Sequence, residues 1–461
     1  MIFIGFLVVA GAAVLLARRA EPRLVLLGAG FLLCLLGGDP LLLPDSFAKG
    51  MVAPMVAPIG AALGFAAVIQ AAGCDRALVQ LLTGPLRRGR WLLFPGSVLA
   101  AYLVNAALPS QTSTAAALGP VLLPLLLGAG LSPARAAGCL ILGASFGGDL
   151  LSPAAQDVQA AAGAAGVAAV GISARVAPAG ALGAAAASLV FTWGALREVC
   201  APGPQPARAG SLNTPEPGRR PDQPPATDAG PAAEPAGTPA VAPGWLLGLL
   251  PFLPIALILL AYGGVPGATW LLRPRPGSES LLGAMTVVRA MLIGICLVAA
   301  VARLSPAALS RRFFEGMGQA YANVISLTIS AACFGAGIQA SRLGEGLLVL
   351  AQQGGPAGPR LLAGLFPWLL GVLSGSGSGP VLAYVQTFLS GPGSPGEAER
   401  SLLAGLACLA GAAGRTMSPV AAVVVYSSAL AGVNPLAAIR TLLPALLVGT
   451  GMALLVALRP G

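Results

Sequence analysis

GAAGRTMSPVAAVVVY, residues 411–426, is the stretch from which the rest of the chain can be read. It sets Arg415 and the pair Ser418-Pro419 inside a long apolar helix. A charge at membrane depth costs roughly 2.5–3.5 kcal/mol on insertion scales, and so marks a functional position. Proline removes an N–H and opens the backbone ladder, which lipid tolerates only where the break lines a protein cavity. The same construction stands earlier as GASFGGDLLSPAAQD, residues 143–157. One offset of 266 residues carries Gly148 to Gly414, Asp149 to Arg415, Ser152 to Ser418 and Pro153 to Pro419. It still holds at Pro178 and Pro444, and at Gly183 and Gly449. The chain reads as two copies of one unit, each with a charged residue at its break, which is the pattern of a transporter.

Composition sets the solvent. Of 461 residues, 56% are hydrophobic and 9% charged, with mean hydropathy +0.84. Soluble domains carry about 25% charged residues, so these proportions describe an integral membrane protein. Apolar runs of about 20 residues make helices the spanning element rather than a barrel. A net charge of +10 would point to nucleic acid in a soluble protein. Here it reads as arginines anchoring cytoplasmic loops, and no aromatics are interleaved for base stacking. Histidine is absent, which removes the commonest metal ligand and the usual neutral-pH proton carrier. The seven cysteines have no CxxC spacing and read as small packing residues. No metal, cofactor or nucleic acid is expected, and with no nucleophile–base pair an intramembrane enzyme is disfavoured. A passive channel stays open until counterflow is measured.

In chain order, the N-terminal MIFIGFLVVAGAAVLLARR lacks a basic leader and reads as a retained helix. Helices at 24–36 and 52–72 follow, then a re-entrant hairpin at 91–130. Its two arms, each short of a comfortable span, flank the hydroxyl-rich tip PSQTST. The broken helix with Asp149 and a helix at 174–196 complete the first copy. Residues 201–243 turn abruptly to proline, glycine and charge without periodicity, a disordered linker. The second copy has helices at 245–262 and 281–301 and an amphipathic segment, LSPAALSRRFFEG, expected on the cytoplasmic surface. After a helix at 318–340 comes a second hairpin, 361–389, with tip SGSGS, then the broken helix with Arg415 and a last helix at 435–458.

Five spanning helices per copy is an odd number, so the second copy enters the membrane upside down relative to the first. The expected fold is an all-α polytopic membrane protein. It is an inverted repeat of about five transmembrane helices plus one re-entrant hairpin each, with broken helices at the midplane. The domains are a first transmembrane repeat at 1–200, the linker at 201–243 and a second, inverted repeat at 244–461. Arginines in RRAEPR, PLRRGR and at 303–312 favour a periplasmic N-terminus and a cytoplasmic linker.

Candidate ligand groups gather at the tips and breaks. The tips offer Ser110, Gln111, Thr112, Ser113 and Thr114, and Ser374, Ser376 and Ser378, beside glycines that let backbone approach a ligand. The breaks offer Ser152, Thr416 and Ser418, with half-helix N-termini suited to carboxylates. Arg415 adds a planar fork that matches carboxylate geometry, and either binds substrate or pairs with its mate Asp149. Asp149 and Asp157 are the acidic groups available for proton or sodium coupling, or else they line a wet vestibule without that role. Arg289 reads as snorkelling to an interface, and Asn105 and Asn323 as amides between helices.

YANVISLTISAACFGAGIQASRLG, LSGSGSGPVLAYV and AAGRTMSPVAAVVV resemble the anaerobic C4-dicarboxylate carrier (DcuC) family of the ion-transporter superfamily. The resemblance runs over nearly the whole membrane part. It implies a carrier in the bacterial inner membrane for succinate- or fumarate-like dicarboxylates, by exchange or proton symport. It further implies ligand contacts at 110–114, 374–378, Ser152 and Ser418. The expected partners are a small dicarboxylate, the lipid bilayer, a coupling cation and a second copy of the chain as a homodimer. Another organic anion or metabolite on the same scaffold is the alternative cargo.

Overall fold

The computed structural model describes residues 2–18, 20–53, 56–88, 90–108, 110–200, 243–272, 282–341, 357–389 and 395–458. The linker expected at 201–243 lies, up to residue 242, outside the described residues, as does Pro109 of the first tip. Among the described residues every regular element is helical. Among the described residues, nine helices are long and apolar enough to cross a membrane, or ten if the bent pair Leu42–Met51 and Val56–Ala71 forms one span. The reason is local. In hydrocarbon each backbone N–H has to be satisfied within its own segment, which a helix does and an open strand does not. The chain is an all-α polytopic membrane protein.

The 266-residue offset reappears as contacts. Helices Ala169–Cys200 and Pro435–Ala457 cross at the mates Gly183 and Gly449. A Cβ on Gly183 would come 2.6 Å from the Gly449 carbonyl oxygen, and one on Gly449 2.7 Å from that of Gly183. Small residues at such a crossing allow backbone-to-backbone packing where lipid supplies no hydrophobic drive between helices. Gly50 packs on Ile329, and its mate Gly316 packs on Leu63, the mate of Ile329. Mates that meet each other, and contacts that recur as mated pairs, are the pattern of a pseudo-two-fold axis passing between Gly183 and Gly449.

Two local expectations change. The segment 304–316 does not form a separate surface helix. Pro306–Ala320 runs through a π-helical turn, Tyr321–Ile325, into Ser326–Ala340, as one apolar span of 35 residues. Phe313, Gly316 and Met317 pack on the helix Val56–Ala71, while Arg311, Phe314 and Glu315 stay exposed. Its amphipathic pattern therefore reflects one helix-facing side and one outward side. Two of the four hairpin arms, Gln111–Gly128 and Ala357–Ser374, are also longer than the sequence implied. The first hairpin has two arms of 18 residues, Arg90–Ala107 and Gln111–Gly128, each about 27 Å long. The second pairs Ala357–Ser374, also 18 residues, with the short Ser378–Phe388 of 11. Pro95, Pro120, Pro124 and Pro367 lie inside helices, where neighbouring segments tolerate the missing N–H.

Candidate functional site

Both breaks follow from short runs of sequence. Pro133–Ser145 ends where Phe146 leaves helical geometry and Gly147 takes φ +80°. A 3-10 turn at Asp149–Leu151 crosses the gap, and the helix resumes as Gln156–Ala165. In the second copy Glu397–Met417 ends at extended Ser418, and Ala422–Leu430 resumes. The restarts at Gln156 and Ala422 are 266 residues apart. The mated serines make the same turn: Ser152 Oγ accepts from Ala154 N–H at 3.2 Å, and Ser418 Oγ from Val420 N–H at 3.4 Å.

Between the breaks lies a buried charge cluster. Arg415 Nη1 donates to Asp157 Oδ2 at 3.0 Å and Nη2 to Asp149 Oδ2 at 3.3 Å. Nη2 also reaches the Ser145 carbonyl oxygen at 3.4 Å. Asp149, Asp157 and Arg415 are 5, 4 and 7% exposed. One fork thus spans two carboxylates from the first break, and with all three groups ionised the cluster carries one negative charge. A buried charge left without partners would be strongly destabilising, so these side chains hold the breaks of the two copies together. Two valences stay open among the described residues, the Arg415 Nε–H and Asp149 Oδ1.

Both hairpin tips reach this cluster. From the first, Gln111 Nε2 donates to Asp149 Oδ2 at 2.5 Å. From the second, Gly377 lies against Arg415 Nη1 and Asp157 Oδ2, where any side chain would collide. Gly375 turns that tip with φ +70°, a conformation L side chains rarely adopt.

Most of the other predicted hydroxyls are occupied with the backbone of their own tip. Ser110 caps its helix by accepting from Ser113 N–H at 3.3 Å, and Thr114 Oγ1 donates to the Ser110 carbonyl at 3.1 Å. Thr112 and Ser113 are half-buried. Ser374 Oγ donates to the Leu370 carbonyl at 2.6 Å and accepts from Ser376 N–H at 3.3 Å. Ser376 Oγ accepts from Gly379 N–H at 3.5 Å, and Ser378 is buried at the start of the second arm. Thr416 Oγ1 binds the Ala412 and Ser145 carbonyls at 2.7 and 3.1 Å and meets Ser145 Oγ at 2.9 Å.

Elsewhere, Arg289 Nη1 donates to the Leu272 carbonyl at 3.1 Å. Asn105 is buried beside Gly148 with neither amide atom partnered among the described residues, whereas Asn323 is exposed on the π-helical turn. The sequence reading missed Ser145. Ser145 sits inside the quoted GASFGGD, a hydroxyl in an apolar run, and that was the available signal.

No family model matches the chain. A 122-residue stretch, 26% of the chain, is 38% identical to a protein of Haemophilus influenzae and covers 84% of it. Its name calls it an uncharacterized transporter. A second protein of that organism, with the same name, is 31% identical over 208 residues, 44% of this chain and 68% of that one. The chain belongs to this family of transporters. For a transporter the arrangement is chemically apt: two hairpin tips and two helix breaks, one set from each copy, meet at a charged group shared across the pseudo-two-fold axis.

Proposed function

We propose that this protein is a secondary active transporter of small dicarboxylates, succinate- or fumarate-like, working by exchange or cation-coupled transport in the bacterial inner membrane. Its units are the repeats at 1–200 and 244–461, inverted relative to each other and joined by a cytoplasmic linker at 201–243. The observation that carries this reading is the Arg415 fork, buried where both tips and both breaks converge and held by two carboxylates. An entering substrate carboxylate takes the place of Asp149 on Nη2, the longer of the two ion pairs, while Nη1 stays on Asp157. A proton or sodium ion neutralises the displaced Asp149, which couples cation to substrate. The hydroxyls and N–H groups of Ser110, Gln111, Thr112, Ser113, Thr114, Ser374, Ser376 and Ser378 and the turns at Ser152 and Ser418 surround the second carboxylate. The transporter relatives and the helical membrane fold support carriage rather than catalysis.

One observation favours the alternative cargo. Two carboxylates outnumber one guanidinium in the cluster, which suits a metabolite that carries an amine beside its carboxylate. Proteoliposomes decide between these. Saturable uptake of labelled succinate, accelerated by unlabelled succinate inside, is the expected result. Counterflow of amino acids but not dicarboxylates selects the alternative, and flux that neither saturates nor shows counterflow overturns a carrier mechanism.

A further inference from the structure

The chain contains a single lysine, Lys49, against 25 arginines. It lines a cavity of about 310 Å³ together with Ser46, Gly163, Ala164, Gln339 and Gln386. The cavity lies between four helices, Leu42–Met51, Gln156–Ala165, Ser326–Ala340 and Ser378–Phe388. Two of these lead straight to the charge cluster. Gly163 is six residues past Asp157 and Gln386 eight past Ser378, so the cavity sits about 9–12 Å along the helices from the cluster, at 1.5 Å per residue. Lys49 and Gln339 are exposed at its mouth, and Gln386 is half-buried. Gln339 Nε2 donates to the Gln386 carbonyl. Gln386 Oε1 is buried and, among the described residues, has no partner, nor does the Lys49 ammonium have an ion-pair partner.

The pseudo-two-fold axis does not reproduce this feature. The mate of Lys49 is Glu315, which pairs with Arg311 at 3.6 Å and Arg312 at 3.1 Å. The mate of Ala164 is Leu430, which is buried against Gly119 of the first hairpin. Where the second hairpin has small residues around an open cavity, the equivalent position beside the first hairpin holds a large side chain. The ammonium without an ion-pair partner belongs to one side, since the arginines at the equivalent position are paired with Glu315.

We propose that this cavity is a capture site for small organic anions, from which they pass to the tip of the second hairpin, and that Lys49 is its charged recognition group. Gln386 Oε1 accepts a hydrogen bond from a hydroxyl, an ammonium or a protonated carboxyl on the same solute. A single ammonium beside low-dielectric walls concentrates anions locally and raises their rate of arrival. It does so without the deep desolvation that would make the ion a trap. The proposal rests on the transport reading above for the path beyond the cavity, but the binding step stands apart from it.

Because Lys49 is the sole lysine, its acylation by an impermeant amine reagent can be followed on one peptide by mass spectrometry, separately from the N-terminal amine. In nanodiscs of neutral phosphatidylcholine, succinate should slow Lys49 acylation about threefold or more, while chloride at equal ionic strength should not. Sulfate, phosphate and monocarboxylates in the same assay give the anion class. Protection that appears only when phosphatidylglycerol is added, and never with a soluble anion, assigns Lys49 to lipid headgroups and overturns the proposal. So does the absence of protection by any anion. In proteoliposomes Lys49→Ala should raise the KM for transport about tenfold with little change in kcat, and Lys49→Arg should restore it. An unchanged KM in Lys49→Ala also overturns the proposal. If the wild-type protein carries no dicarboxylate while another anion still protects Lys49, the capture site stands and the substrate assignment fails.

Discussion

A guanidinium keeps its proton in proteins, so burying Arg415 commits the surrounding residues to supplying negative charge. Asp149 and Asp157 supply it, the first from the 3-10 turn of the first break and the second from the helix that resumes after it. Replacing Arg415 by Gln leaves two buried carboxylates without a counter-charge and should lower stability by about 3–5 kcal/mol. Asp149→Asn in that background should recover only part of the loss, because Asp157 is still unpaired. Adding Asp157→Asn should recover most of it, with melting temperature in detergent as the measurement. Complete rescue by Asp149→Asn alone contradicts the shared fork. Arg415→Lys separates structure from ligand binding. An ammonium is a point charge without the planar fork, so dicarboxylate affinity should fall about tenfold or more while the fold persists. A triple variant, Arg415→Gln with Asp149→Asn and Asp157→Asn, that binds dicarboxylate as well as the wild type would end the ligand role of Arg415.

At the scale of elements, the second hairpin is tied to the breaks by close approach of backbone rather than by long side chains. A Cβ at Gly377 would fall among Arg415 and Asp157. Gly377→Ala should therefore displace the tip and abolish transport while leaving a folded protein, visible as a normal size-exclusion profile with no counterflow. The crossing of Ala169–Cys200 on Pro435–Ala457 makes a different demand. Gly183→Ala and Gly449→Ala each push a methyl onto the other helix's carbonyl, which should cost about 1–3 kcal/mol as overpacking. The two losses should be similar, since the residues are mates. Melting curves check this, and a neutral result at one position with a large loss at the other argues against the axis passing between them.

For the whole molecule, the odd number of spans per copy expected from the sequence would put the two tips within reach of opposite sides. Cysteines introduced at Ser110 and Ser376 in a cysteine-free background should react with impermeant thiol reagents from the cytoplasm and the periplasm respectively. Finding both reachable from one side alone removes the inverted arrangement. Residues 201–243 have a composition that cannot bury a core. Exchange for a Gly/Ser segment of equal length should leave uptake per folded molecule unchanged, and a marked loss identifies a regulatory contact in that segment.

The sequence by itself determined that this is a helical membrane protein, because 56% hydrophobic residues in long runs admit no other solvent. It also located the breaks, because Asp149, Arg415, Pro153 and Pro419 are each unfavourable in an apolar helix and recur at one offset. It could not fix the lengths of the hairpin arms, since whether Pro95, Pro120 and Pro124 end a helix depends on neighbours that a linear reading does not contain. Nor could it join 304–316 to the following helix, because an amphipathic pattern is the same whether its apolar side meets lipid headgroups or the helix Val56–Ala71. The pairing of Arg415 with Asp157 as well as Asp149 was decided by tertiary structure alone. Asp157 has an apolar mate, Val423, so the repeat gave no sign of it, and 258 residues separate it from Arg415 along the chain. Only the folding of the first break back toward the second brings a second carboxylate to the free side of the guanidinium fork.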